Sequence, residues 1–322
     1  MQYRKMPASR PAILFDLQIT VGLARLAADQ RIALPAPHLM PRMRDYIESL
    51  LLAENLPPKA QYLTMFLARF QDLVALSAAG KPFIYKKRHS LSLLFDIRAV
   101  QSEMSLDAPD QLLLGYTLSM MGFLLFNPEP EKIAMIGLGG GSMPKYCYHH
   151  LPQASIVVVE NDPEVIALRD QFRIPQDDAR LQVHCADGAD FVRRAIDQYD
   201  VLVVDAFDRK GQPPQLCSKT FYDDCYSALA QDGIMVVNLL GDVAETTIYL
   251  DRIRVSFDGA VIVVDALDSL NKIAFACKGN LLDVPDQVLL ERLKSLESQH
   301  ALALHFTAHN ILQRRQLDSA AA

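Results

Sequence analysis

The sequence predicts an α/β fold: a central, mostly parallel sheet with helices on both faces. Three observations predict it. First, the apolar run Ile133-Ala134-Met135-Ile136 opens into four glycines, Gly137, Gly139, Gly140 and Gly141, and a helix-permissive segment follows from Pro144. An apolar run bounded by glycine and feeding a helix is the start of a βαβ unit. Second, further apolar runs of strand length recur at 156–159, 181–185, 201–204 and 234–238. Third, these runs end on polar residues or enter polar turns, with Glu160, Asp187 and Asp205 among them. In open α/β sheets, ligands bind outside the carboxyl ends of the strands, so the three acids form a constellation.

Composition narrows the classes of function. At 322 residues the chain can form one large domain or two. Half of it is hydrophobic and 22% is charged, as in an ordinary globular protein. A net charge of −6 argues against nucleic acid as the main partner and fits a small cationic substrate. Five cysteines, odd in number and without a Cys-x-x-Cys pair, read as reduced and mostly structural thiols in a cytoplasmic protein. Cys185 in particular reads as a small buried residue. The run Ile13-Leu14-Phe15 stops at Asp16, which does not suit a signal peptide. The longest apolar run, 118–126, falls short of the roughly 18 residues of a membrane span, so no membrane partner is expected. No His/Cys/Asp spacing suits a metal and no Gly-x-Ser-x-Gly elbow suits a hydrolase.

In chain order, residues 1–81 read as a helical extension. Apolar residues recur at helical spacing over 43–53 and 60–79, and Pro57-Pro58 separates the two segments. Met65, Phe66, Phe70 and Leu73 form a packing face. Residues 82–108 read as a small β region, with a turn near 87–90. Residues 109–322 form the main domain, opening with a buried helix over 112–126. After the glycine turn, the strand at 156–159 ends on Glu160. An acid about 20 residues past such a turn is placed to accept both hydroxyls of a ribose. Asp162 then reads as a helix N-cap with Pro163 at the first helical position. Asp187-Gly188 follows the third strand, Asp205 ends the fourth with Asp208 beyond it, and Gln231-Asp232-Gly233 turns into the fifth. Strands at 260–265 and 272–277 and helices over 286–298 and 305–317 complete the chain.

The segments GLGGGSMPK, VVVENDPEV, ADGADF, DVLVVDAFD and KTFYDDCYSALAQDGIMVVNL resemble the spermidine synthase (polyamine aminopropyltransferase) family and its spermidine-synthase-like methyltransferase relatives. The likeness runs from about Phe83 to Lys278. It implies a Rossmann-like class I methyltransferase fold, a cofactor that is S-adenosylmethionine or its decarboxylated form, an amine or similar acceptor, a homodimer and no metal. Carried over by position, Gly137, Gly139, Gly140, Gly141 and Ser142 would hold the cofactor tail and Glu160 the ribose. Asp187, with Gly188, would read the adenine amino group. Gln101 matches a cofactor-contacting glutamine in the last strand of the small β region. Asp205 matches the first acid of the family's Asp-x-x-Asp, the candidate catalytic residue, and Asp208 would orient.

The chain also departs from the family pattern. Asp110-Gln111-Leu112-Leu113-Leu114-Gly115-Tyr116 stands where aminopropyltransferases show Asp-Glu-x-x-Tyr-His-Glu, so the tyrosine and histidine positions are Leu114 and Gly115. Ser142 replaces an aspartate that pairs with the ammonium of the decarboxylated cofactor. A hydroxyl with backbone N–H groups suits the carboxylate of ordinary S-adenosylmethionine better. Arg209 and Lys210 add positive charge beside the acids. The sequence therefore puts methyl transfer slightly ahead of aminopropyl transfer, with a catalytically silent binding protein of the same fold as a third reading.

Overall fold

The structure is a computed structural model and describes residues 72–73, 75–96, 99–209, 211–240, 244–267, 269–300 and 302–321. Of the two predicted N-terminal helices, only the end of the second lies within these residues. There 72–73 and 75–78 are helical and Leu73 is buried. The helix over 43–53 and the side chains of Met65, Phe66 and Phe70 lie outside the described residues.

The chain divides into two compact units, Met1–Gln101 and Ser102–Ala322. In the first, β1 (Phe83–Lys86) pairs antiparallel with β2 (Ser90–Asp96), and Lys87 N donates to Ser90 O at 2.8 Å to close the predicted turn. β3 (Ala99–Ser105) is the third strand of that sheet and carries the division between the units.

The second unit is built on a seven-stranded sheet. Its strands are β4 (Lys132–Ile136), β5 (Ser155–Glu160), β6 (Leu181–Cys185), β7 (Tyr199–Val204), β8 (Leu229–Leu239), β9 (Val261–Asp265) and β10 (Lys272–Cys277). The spatial order is β6-β5-β4-β7-β8-β10-β9. The first five strands in that row run parallel, and β10 is antiparallel to both β8 and β9. The order reverses between β4 and β7, which is where the crevice of an open α/β sheet lies.

Side chains alternate across the strands. Ala134, Ile136, Leu202, Val204, Met235 and Val237 point to one face and pack on Val192, Phe221, Cys225, Leu250 and Ile253. Those partners come from α4 (Gly188–Arg193), α5 (Lys219–Ala228) and α6 (Ala244–Ser256). The remaining helices are α1 (Gly115–Met120), α2 (Ser142–His150), α3 (Pro163–Ile166), α7 (Asp286–His300) and α8 (His305–Ala321).

Three elements differ from expectation. The predicted helix over 112–126 is only one and a half turns of α-helix, α1, before it tightens into a 3₁₀ segment, Met121–Leu125. Gly122 lies against Phe275 and Thr307, and a Cβ there would come within 2.9 Å of Phe275 Cζ, so the segment is drawn down onto β10. The Gln231-Asp232-Gly233 turn sits inside β8 as an irregularity in its pairing with β7, with Asp232 at φ 60°. Cys185 is exposed rather than buried, because β6 is the edge strand; the other four cysteines are buried.

Candidate active site

The glycine turn after β4 is shaped by what approaches it. Gly137 has φ 98°, and a Cβ there would sit 2.2 Å from Asp205 O. Only glycine permits the β7 end to lie this close, with Asp205 N donating to Ile136 O at 2.9 Å. Gly140 is equally closed: a Cβ would meet Ser102 Oγ at 2.6 Å and Phe172 Cδ1 at 2.9 Å. Gly139, at φ 51°, differs, because its Cβ would touch only Ser102 Cβ at 3.7 Å. The backbone at Gly139 is therefore open to a ligand, as a cradle for a cofactor tail requires. Gly141, at φ 66°, caps α2, and Ser142 Oγ lies 3.3 Å from Ser102 Oγ.

Glu160 ends β5 and holds the turn from the other side. Its Oε2 accepts from Leu138 N at 3.0 Å and its Oε1 from Asp162 N at 2.9 Å. Both carboxylate oxygens are thus oriented before any ribose arrives, and each keeps a further lone pair. As predicted, Asp162 caps α3, accepting from Glu164 N at 2.8 Å ahead of Pro163. Asp187 caps α4 through Oδ1, which accepts from Ala189 N at 2.8 Å and Asp190 N at 3.1 Å. Its Oδ2 lies 3.5 Å from Gln215 Nε2. Gly188 packs under Ile136, where a Cβ would fall 2.4 Å from Cγ2.

Asp205 is the electrostatic centre. Its Oδ1 accepts from Asn238 Nδ2 at 2.9 Å, and the Tyr116 hydroxyl donates to the same carboxyl group. Burial pushes its pKa from the ordinary 3.8 up to about 6, against the opposing pull of these two donors. Tyr116 is held well above the usual tyrosine range, first by burial and then by the Asp205 charge, so it stays a donor. Asn238 is 2% exposed and itself accepts from Asn271 Nδ2 at 2.8 Å. Asp208 is exposed, in a tight turn where its N–H donates to Gly211 O at 2.8 Å.

The second unit thus gathers the glycine turn, Ser142, Glu160, Asp187, Gly188 and Asp205 along the carboxyl ends of β4 to β7. Gln101 stands on β3 as the last residue of the first unit. Sequence reasoning missed the part played by Tyr116, Asn238 and Asn271. Asn238 carried one signal, a buried-strand amide in an otherwise apolar run. Tyr116 carried none, since its meeting with Asp205 is purely tertiary. Among the described residues no cluster of His, Cys, Asp and Glu is placed to hold a metal, and no helix is long and apolar enough to cross a membrane.

A parallel sheet reversing at β4/β7, a ligand-open glycine turn, a strand-end acid on β5 and a part-buried acid after β7 define the class I transferases that use S-adenosylmethionine-type donors. Residues 114–267 match the family model described as the Spermine/spermidine synthase domain. The chain is 32% identical over 243 residues to the polyamine aminopropyltransferase of Chromobacterium violaceum, covering 75% of this chain and 93% of that protein. It belongs to the spermine/spermidine synthase family. It is also 34% identical over 134 residues to the Bos taurus eEF1A lysine and N-terminal methyltransferase, covering 36% of this chain and 19% of that protein. A crystal structure of a probable spermidine synthase from Corynebacterium glutamicum shares the fold, with TM-score 0.55 and 18% identity over 66% of this chain and 83% of that one.

Proposed function

We propose that the chain transfers an aminopropyl group from decarboxylated S-adenosylmethionine to the nitrogen of a small aliphatic amine. The observation that carries it is the extent of the likeness. A curated polyamine aminopropyltransferase is matched over 93% of its length, a methyltransferase over 19%. This reverses the order the sequence alone suggests.

The donor, when bound, supplies an electrophilic carbon on a sulfonium and a neutral thioether leaving group. The chain's residues bind, orient and move a proton. The glycine turn and Ser142 hold the donor's tail, Glu160 its ribose, and Asp187 with Gly188 its base. An amine attacks only when neutral, and the new C–N bond leaves a proton to be removed. Asp205, ionised above about pH 6, receives that proton. Tyr116 and Asn238 fix the carboxylate so that it meets the nitrogen along one line. The tyrosine and histidine absent at Leu114 and Gly115 are answered in part by Tyr116, the next residue on α1. Asp208 orients the amine.

Methyl transfer from ordinary S-adenosylmethionine is the second reading. Ser142 faces Ser102 rather than offering a carboxylate to the donor's ammonium. Behind the turn, Lys145 is 1% exposed and donates to Phe172 O at 2.8 Å, so the helix that follows the turn carries a buried cation near its start. Calorimetric titration with each donor separates the two. Tighter binding of the decarboxylated form supports aminopropyl transfer, and tighter binding of the ordinary form reinstates methyl transfer. Binding of neither leaves a silent protein of this fold.

A further inference from the structure

We propose that Asn271, on the loop joining β9 to β10, is a positioning residue for Asp205. Acting through Asn238, it fixes the orientation of one buried amide and so keeps Asp205 ionised and ready to accept a proton. This rests on the reading of Asp205 as the proton acceptor.

A primary amide has a donor end and an acceptor end, and two like ends cannot face each other across a hydrogen-bond distance. Asn271 Nδ2 lies 2.8 Å from Asn238 Oδ1, and Asn238 Nδ2 lies 2.9 Å from Asp205 Oδ1. The donor end of Asn271 therefore commits Asn238 to donate to Asp205. Reversing Asn238 would set its carbonyl oxygen against the carboxylate and favour the protonated acid. Asn238 has no solvent to turn to, being 2% exposed, and its backbone carbonyl is taken by Gln212 Nε2 at 2.9 Å.

The loop that carries Asn271 is itself clamped. Ala266 N donates to Asn271 O at 2.9 Å, and Leu267 N donates to Ser119 Oγ at 3.0 Å. The Leu267 carbonyl lies directly on the first turn of α1, where a Cβ on Gly115 would fall 2.0 Å from its oxygen. The next residue of α1 is Tyr116, the second donor to Asp205. Both donors thus trace back to one loop, by way of Asn238 on one side and α1 on the other. Among the described residues, the groups that face the Asp205 carboxyl are the Tyr116 phenol from α1 and the Asn238 amide from β8, while the Gly137 backbone lies against the Asp205 backbone carbonyl. Asp208 and Arg209, on its own turn, are exposed.

The test titrates the Asp205 carboxyl directly. In full-length protein labelled with ¹³C-aspartate, its resonance is assigned by disappearance in Asp205→Asn. Asn271→Ala introduces no charge and removes the commitment on Asn238. Its expected effect is an upward move of the Asp205 midpoint by about half a pH unit or more, with the acid limb of kcat/KM moving alongside. Asn271→Asp, which can only accept, moves both further. Ser269→Ala, which alters a contact to the Asn271 backbone alone, leaves the midpoint in place. An unmoved midpoint in Asn271→Ala overturns the relay, and so does a shift confined to Asn271→Asp, which is charge repulsion. A moving midpoint with a fully active Asp205→Asn protein would instead uphold the relay and remove Asp205 from the chemistry.

Discussion

Asp205→Asn separates two effects of one side chain. Burial raises the carboxyl from 3.8 to about 6, so between these values the folded state holds a proton that the unfolded chain has already lost. Stability contributed by this group is therefore present at low pH and falls as pH rises toward 6. At about 1.4 kcal/mol per tenfold change in proton affinity, the loss is about 3 kcal/mol by neutral pH. Asparagine has no charge to desolvate and still accepts from Asn238. The variant should thus be more stable than the parent by as much as about 3 kcal/mol near pH 7.5, and equal to it near pH 4. Its kcat/KM should fall by roughly a hundred- to ten-thousandfold, the usual contribution of a positioned proton acceptor. Urea unfolding at both pH values, alongside steady-state rates, measures both. A variant no more stable at neutral pH, with rates within a few-fold of the parent, would refute both the desolvated charge and its role.

Other substitutions test the frame around it. Gly115→Ala drives a Cβ to 2.0 Å from Leu267 O, so it should displace the β9–β10 loop and destabilise by about 1–3 kcal/mol, read as a lower thermal midpoint with weakened activity. Glu160→Gln keeps one acceptor and turns an NH₂ toward a backbone N–H, costing about 1–3 kcal/mol of stability and weakening donor binding by calorimetry. Lys145 is pushed down to about 8 by burial, so its charge costs most below pH 8 and nothing above the ordinary 10.5. Lys145→Met should accordingly be more favourable to stability at pH 7 than at pH 10.5, and equal effects at both would show that no desolvated charge is present.

The sheet was legible because its signal is local. Each parallel strand is a short apolar run bounded by polar residues, and the glycine turn announces the first of them. Asp162 and Pro163 marked a helix start for the same reason, since a cap is set by its neighbours in sequence. Elements shaped by distant packing were not legible. The helix over 112–126 tightens where Gly122 meets Phe275, and β8 begins early because Leu229 pairs with Tyr199 across an irregular register. The acids of the site were visible as strand-end residues, yet their partners were not. Tyr116 and Asn271 reach Asp205 and Asn238 only after the sheet has formed. The sequence points toward methyl transfer through Ser142, Leu114 and Gly115, and Tyr116 answers in part the losses at the last two.

The most direct measurement supplies ordinary and decarboxylated S-adenosylmethionine together, at equal concentration, with a short aliphatic diamine, and weighs the products by mass spectrometry. Aminopropyl transfer predicts an amine lengthened by an aminopropyl group, absent with Asp205→Asn. A methylated amine with the decarboxylated donor untouched would contradict it.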